Sequence, residues 1–195
     1  PAQLRGPRES APGAYDKRNG HPLQAEGIVT MALKKEVEGI LNKQIELEFD
    51  AAAVYYGMYI YFEQELFQGF AAWFKDHVGE ELSHAAKVID YMLARGGTPA
   101  IPATKAPKTK YASPLDAMRS ALAHERGNTA GIYACLKTAA EADDPATTEM
   151  LQWFVKEQVE EEQWAEEYAQ TVEKIEKSTG AMYAFDHRVG GRVKS

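Results

Sequence analysis

The sequence predicts an all-α fold: four long helices in a bundle, one long crossover connection, and a short fifth helix near the C-terminal end. Three observations carry this. Apolar residues recur at alternating spacings of three and four from Leu41 to Ile175, the mark of a bundle-facing stripe. Beyond residue 31, prolines occur only between Pro99 and Pro114 and at Pro145, so the breaks are few and the segments between them long. No stretch alternates with the two-residue period of a strand.

Residues 1–30 stand apart. They carry Gly6, Pro7, Pro12, Gly13, Gly20 and Pro22 and few large apolar side chains. They read as a disordered extension, a vector-derived scar or upstream translated sequence, and no function is assigned to them. Met31 reads as a natural start, the bundle domain as 31–190, and 191–195 as a tail. The first helix is expected from Leu33 to Leu66 and the second from Gly69 to Arg95, stopped by Gly96-Gly97. Residues 98–112, with Pro99, Pro102 and Pro107, form a connection. Ser113-Pro114 supplies an N-cap and first helical residue for the third helix, which reaches Ala142. Asp144-Pro145 opens the fourth, to Lys177. Gly180 interrupts, and Ala181 to Val189 form the short fifth.

Connection lengths set the topology. About 17 residues at about 3.3 Å each span about 55 Å. A helix of about 28 residues is about 42 Å long. The loop between the second and third helices therefore reaches the length of the bundle. The turns joining helices one to two and three to four are short, which makes those pairs antiparallel.

A chain of 195 residues, 45% hydrophobic and 26% charged, builds one domain with a core of its own, or one domain plus a tail. Its net charge of −7 draws cations and argues against nucleic acid or an anionic membrane as partner. One cysteine, Cys135, rules out an internal disulfide and fits a reducing compartment. No apolar run approaches the roughly 18 residues of a membrane span, and the start lacks the apolar core of a secretion signal. A cytoplasmic location is the expectation.

The stripes carry the chemistry. The first helix presents Leu41, Ile45, Glu48, Ala52, Tyr55, Tyr59 and Phe62; the second presents Phe70, Phe74, His77, Glu81, His84, Val88 and Tyr91. The third presents Leu115, Met118, Leu122, Glu125, Thr129, Ile132 and Leu136. The fourth presents Leu151, Phe154, Gln158, Glu161, Ala165, Tyr168, Val172 and Ile175. Each stripe carries a carboxylate near its middle. Taken singly, Glu48 or Glu125 is a margin residue, Glu81-x-x-His84 a chance spacing, Gln158 a partner for backbone, Tyr55 a core aromatic. His77 is assigned to the core, bonded to a carbonyl, and kept out of the site. Four carboxylates at one depth repel one another and lose hydration, so they stay together only protonated or neutralised by cations. Oxygen ligands with one imidazole suit iron or manganese. Two cations about 3.5–4 Å apart need a bridging carboxylate, and Glu81 occupies the central place. The expected centre is asymmetric: Glu48, Glu81 and His84 around one cation, Glu81 and Glu125 with Gln158 or Glu161 around the other.

At these residues the chain resembles the ferritins, specifically bacterial non-haem ferritin. The stretches that carry the resemblance are Gln44–Glu48 with Tyr55, Glu80–Ala85, His124–Arg126 and Trp153–Gln158, within a match from about Leu41 to Arg188. The resemblance implies a ferroxidase centre with Glu48, Glu81 and His84 on the first iron, Glu81 as bridge, Glu125 and Gln158 at the second, and Tyr55 as electron donor. It further implies a third iron site at Glu80, Glu157, Glu160 and Glu161, and hollow shells of 24 subunits that store ferric mineral. Fe(II) and dioxygen or peroxide are the implied reactants. Leu82 stands where haem-binding cousins have methionine, so no haem is expected. The alternatives are a peroxide-reducing di-iron oxidoreductase of rubrerythrin type, a DNA-binding miniature ferritin, and a purely structural bundle. The lone Cys135, the intra-chain ligand set and the four core carboxylates weigh against them in turn.

Overall fold

A computed structural model of the chain describes residues 32–193. The readings for residues 1–31 and for the end of the tail lie outside these. Among these described residues five helices follow in order: α1 (Lys35–Gln64), α2 (Gln68–Ala94), α3 (Pro114–Glu141), α4 (Pro145–Ile175) and α5 (Thr179–Gly190). Among the described residues there is no strand, and no helix is long and apolar enough to cross a membrane.

The turns explain the helix ends. After α2, Gly96 takes φ 69° and the amides of Gly96 and Gly97 bond back to Leu93 and Met92 at 3.0 and 2.8 Å. This is the Schellman stop that the glycine pair predicts. α1 and α3 end with the same two bonds, but there the left-handed residues are Leu66 (φ 62°) and Asp143 (φ 51°). No glycine marks these ends, yet they fall within two residues of the expected Leu66 and Ala142. Ser113 and Asp144 cap α3 and α4 through the amides of Asp116 and Thr147, as expected. The last break differs from the reading above. It falls at Glu176–Ser178, and Gly180 lies inside α5, because Ser178 caps that helix by accepting from Ala181 N.

α1 runs antiparallel to α2 and to α3, and α2 antiparallel to α4. The pairing is fixed at one end by Arg95 on Asp144 (3.1 Å) and Tyr91 on Thr147 (2.8 Å). The crossover, 95–113, lies along α1. Thr98 and Ala100 bond Asn42, Lys108 lies over Gly57, and Tyr111 packs on Tyr61 at 5.2 Å. From Asn42 to Tyr61 is about 28 Å of helix, so the connection traverses much of the bundle, as its length requires. Gly57 is needed for this: a Cβ there would lie 2.3 Å from the Lys108 carbonyl oxygen. α5 is tied to the start of α2 by Asp186, which accepts from the amides of Gly69 (3.1 Å) and Phe70 (2.7 Å). A carboxylate at a helix N-terminus satisfies donors that have no partner within the helix.

The core has two apolar clusters. One gathers aromatic residues at the α5 end, with Tyr55, Phe62, Phe70, Phe74 and Tyr168. The other lies at the opposite end, around Leu41, Ile45, Val88, Ile132 and Phe154. Along all four stripes the buried carboxylates fall between these two clusters. The bundle thus has a polar layer sealed by hydrocarbon on both sides.

Candidate metal centre

Each helix delivers its mid-stripe residue to that layer. Glu48 (α1), Glu81 and His84 (α2), Glu125 (α3), and Gln158 and Glu161 (α4) are all buried. Glu81 and His84 are one turn apart, which brings both to the same face of α2. Glu48, Glu81 and His84 offer ligand atoms within 4.8 Å of one another; so do Glu81, Glu125 and Glu161. The two trios share Glu81. His84 Nδ1 lies 3.4 Å from Glu81 Oε2 and 4.0 Å from Glu48 Oε2.

The electrostatics match a cation site. Burial, then the facing Glu81, pushes the Glu48 carboxyl up to about 8. Burial, with Glu161 and Glu80 nearby, pushes Glu81 up to about 8. Burial and Glu161 push Glu125 up to about 8, and burial raises Glu161 to about 7. Glu81 Oε2, His84 Nδ1 and Glu125 Oε1 are buried and make no hydrogen bond to protein. Buried polar atoms almost always have partners. Three that lack them, in neighbouring ligand sets, fit divalent cations of oxygen- and nitrogen-loving type.

The remaining expected residues divide. Gln158 Nε2 donates to Glu125 Oε2 and approaches Thr129 Oγ1, both at 3.3 Å, so its amide supports Glu125 while Glu161 completes the second trio. Tyr55 is fully buried among aromatic residues, with its hydroxyl unpartnered and its ring about 6 Å from those of His77, His124 and Trp164. A third trio consists of His77, Glu80 and Glu161. Glu157 and Glu160 lie outside it and line, with Asp76 and Trp164, a cleft of about 390 Å³ that reaches His77 and Glu161.

His77 lies in the core as expected, and it has acidic neighbours as well. It makes the expected carbonyl contact, Nδ1 to Trp73 O at 3.0 Å. But its Nε2 faces Glu80 Oε2 at 3.4 Å and Glu161 Oε2 at 3.9 Å. Burial lowers its pKa and favours the neutral ring. An imidazole whose Nδ1–H is held by a carbonyl presents Nε2 as a lone pair, the usual arrangement of a metal-ligating histidine. The same carbonyl bond turns Nε2 toward Glu80 and Glu161.

The ferritin-like domain model matches residues 38–175. The chain belongs to the ferritin family. The bacterial non-heme ferritin of Staphylococcus epidermidis is 33% identical to this ferritin over 160 residues, which is 82% of this chain and 96% of that one. Its counterpart from Staphylococcus aureus is 32% identical over 161 residues, 83% and 97% of the two chains. Among solved structures, the open pore ferritin of the archaeon Archaeoglobus fulgidus superposes with a TM-score of 0.81 at 32% identity, covering 83% of this chain and 99% of that one. The family match, residues 38–175, takes in most of α1, all of α2 to α4 and their ligand-bearing stripes.

Proposed function

We propose that this ferritin takes up Fe(II), oxidises it at the paired site and stores the ferric product inside a shell of its own copies. The observation that carries the reading is the chain of three trios linked through shared carboxylates. Glu81 belongs to the first and second, Glu161 to the second and third. Glu48, Glu81 and His84 hold one Fe(II); Glu81, Glu125 and Glu161 hold the other. Each iron gives up one electron. Dioxygen accepts two electrons and two protons and leaves as hydrogen peroxide; peroxide as oxidant leaves as water. Membership of the ferritin family supports the iron-storage part of the reading. On α2, Leu82 is exposed and offers hydrocarbon rather than an axial ligand for haem.

Glu161 also joins the paired site to His77 and Glu80 at the cleft. That shared ligand provides a route by which ferric product leaves the pair. With His77→Leu, the first oxidation burst is expected to keep its rate and amplitude, and later turnovers in excess Fe(II) to slow severalfold. Stopped-flow absorbance over repeated additions measures both. A slowed first burst would instead place His77 in the paired site.

The storage claim is tested by sizing purified apoprotein in solution, then adding Fe(II) in air and measuring iron retained per particle. A large shell retaining iron far beyond two per chain supports the proposal. A dimer that oxidises its pair and stops would support a di-iron oxidoreductase instead.

A further inference from the structure

Beside Glu48 lies a closed ring of buried polar side chains that the oxidation chemistry leaves unused. Gln44, one turn earlier on α1, donates from Nε2 to Glu48 Oε1 at 2.8 Å and to Asn128 Oδ1 at 2.6 Å. Asn128, on α3, donates from Nδ2 to Glu48 Oε2 at 3.1 Å. Glu48 and Gln44 are 1% exposed and Asn128 2%. Amides carry one donor end and one acceptor end. Turning either amide over would set oxygen against oxygen, so the ring fixes both amides and the carboxylate together. Gly131 leaves the space for it: a Cβ there would lie 2.7 Å from Gln44 Oε1 and 2.4 Å from Leu47 Cδ1.

The opposite side of the centre is held differently. Glu125 receives one amide from Gln158, at 3.3 Å, and its Oε1 makes no hydrogen bond to protein. A carboxylate gripped at both oxygens has little freedom left to lose on binding, and each oxygen keeps a lone pair for a cation. A carboxylate held at one oxygen keeps room to swing.

We infer that Gln44 and Asn128 are positioning residues that hold Glu48 in a fixed plane, so that the site of Glu48, Glu81 and His84 fills first and keeps its cation longer than the site of Glu81, Glu125 and Glu161. The inference rests on the paired-site reading above. It adds two residues of this chain that set the order in which the sites fill and empty. The second site, with Glu125 held at one oxygen and its link through Glu161 toward His77, is the one that exchanges.

Anaerobic titration of apoprotein with Co(II), followed by its visible d–d bands, tests this. The native chain is expected to fill in two steps, the first tighter. Gln44→Leu combined with Asn128→Leu should weaken the first step by about 10–100-fold, the range for residues that support a metal ligand, and leave the second in place. In Fe(II) oxidation the same variant should raise KM while kcat stays within a few-fold. Asn128→Leu alone, which keeps the Gln44 bond, should give a smaller shift in the same direction. An unmoved first step in either folded variant overturns the inference while the paired site stands. So does equal weakening of both steps with a lowered Tm, which would mark a structural role. If the native chain takes up no buried Co(II), the paired-site reading itself fails, and this inference with it.

Discussion

Glu81→Ala is expected to abolish rapid Fe(II) oxidation. No other residue is common to the two trios of the pair, so its loss weakens both positions at once. Removing a residue that only supports a metal ligand costs about 10–100-fold; removing the shared ligand should exceed about a hundredfold. The native state should survive, because Glu81 in the metal-free chain is a buried carboxyl whose charge is disfavoured by burial and by Glu161 and Glu80. Glu81→Gln, which keeps the shape and removes the charge, separates ligation from packing. It too should lose the fast phase while its apoprotein melts no lower than the native one. Stopped-flow absorbance beside thermal unfolding measures both. A surviving fast phase in folded Glu81→Ala would move the site elsewhere.

The second large effect is on stability against pH. Glu48, Glu81 and Glu125 titrate near 8 and Glu161 near 7 in the fold, against 4.5 for an ordinary glutamate. Between these values the native state binds more protons than the unfolded chain. Its stability therefore falls as pH rises. The contribution is fully present below about 4.5 and is lost as pH climbs through 7 to 8. With four coupled groups the loss across that window is on the order of several kcal/mol. For a domain of this size that corresponds to a drop in Tm of about 10 °C or more. A bound divalent cation reverses the sign, because it requires the ionised carboxylates and releases their protons. Melting curves of apoprotein from pH 5 to pH 9, with and without Zn(II), should diverge as pH rises. Curves that run parallel would mean that these carboxylates do not hold the cation.

Much of this was legible from the chain because the core stripes repeat at helical spacing. Leu41, Ile45, Phe62, Phe70, Phe74, Val88, Leu151, Phe154 and Val172 are all fully buried where the stripes place them. Leu122, Leu136 and Ile175 sit at the margins and are half-buried. The mid-stripe carboxylates come together because four helices of similar register bring equal depths to one layer. The ends of α1 and α3 fall within two residues of the expected ones although Leu66 and Asp143 adopt the left-handed turn in place of glycine, and the break that was misplaced is the one before α5, at Glu176–Ser178 rather than Gly180. The buried ring was missed for a geometric reason. A stripe read in alternating threes and fours passes from Leu41 to Ile45 and on to Glu48, stepping over Gln44. Yet Gln44 is one turn from Glu48 on the same face. An amide four residues before a buried carboxylate was the available signal. The reading of His77 from a carbonyl contact alone left out its second nitrogen, which faces Glu80 and Glu161.

The central claim, two cations bridged by Glu81 within one chain, is tested most directly by crystals soaked anaerobically in Fe(II) and measured at the iron absorption edge. The account predicts two anomalous peaks per chain on either side of Glu81, about 3.5–4 Å apart, with a weaker third among His77, Glu80 and Glu161. A single peak among these carboxylates, or none, would contradict it.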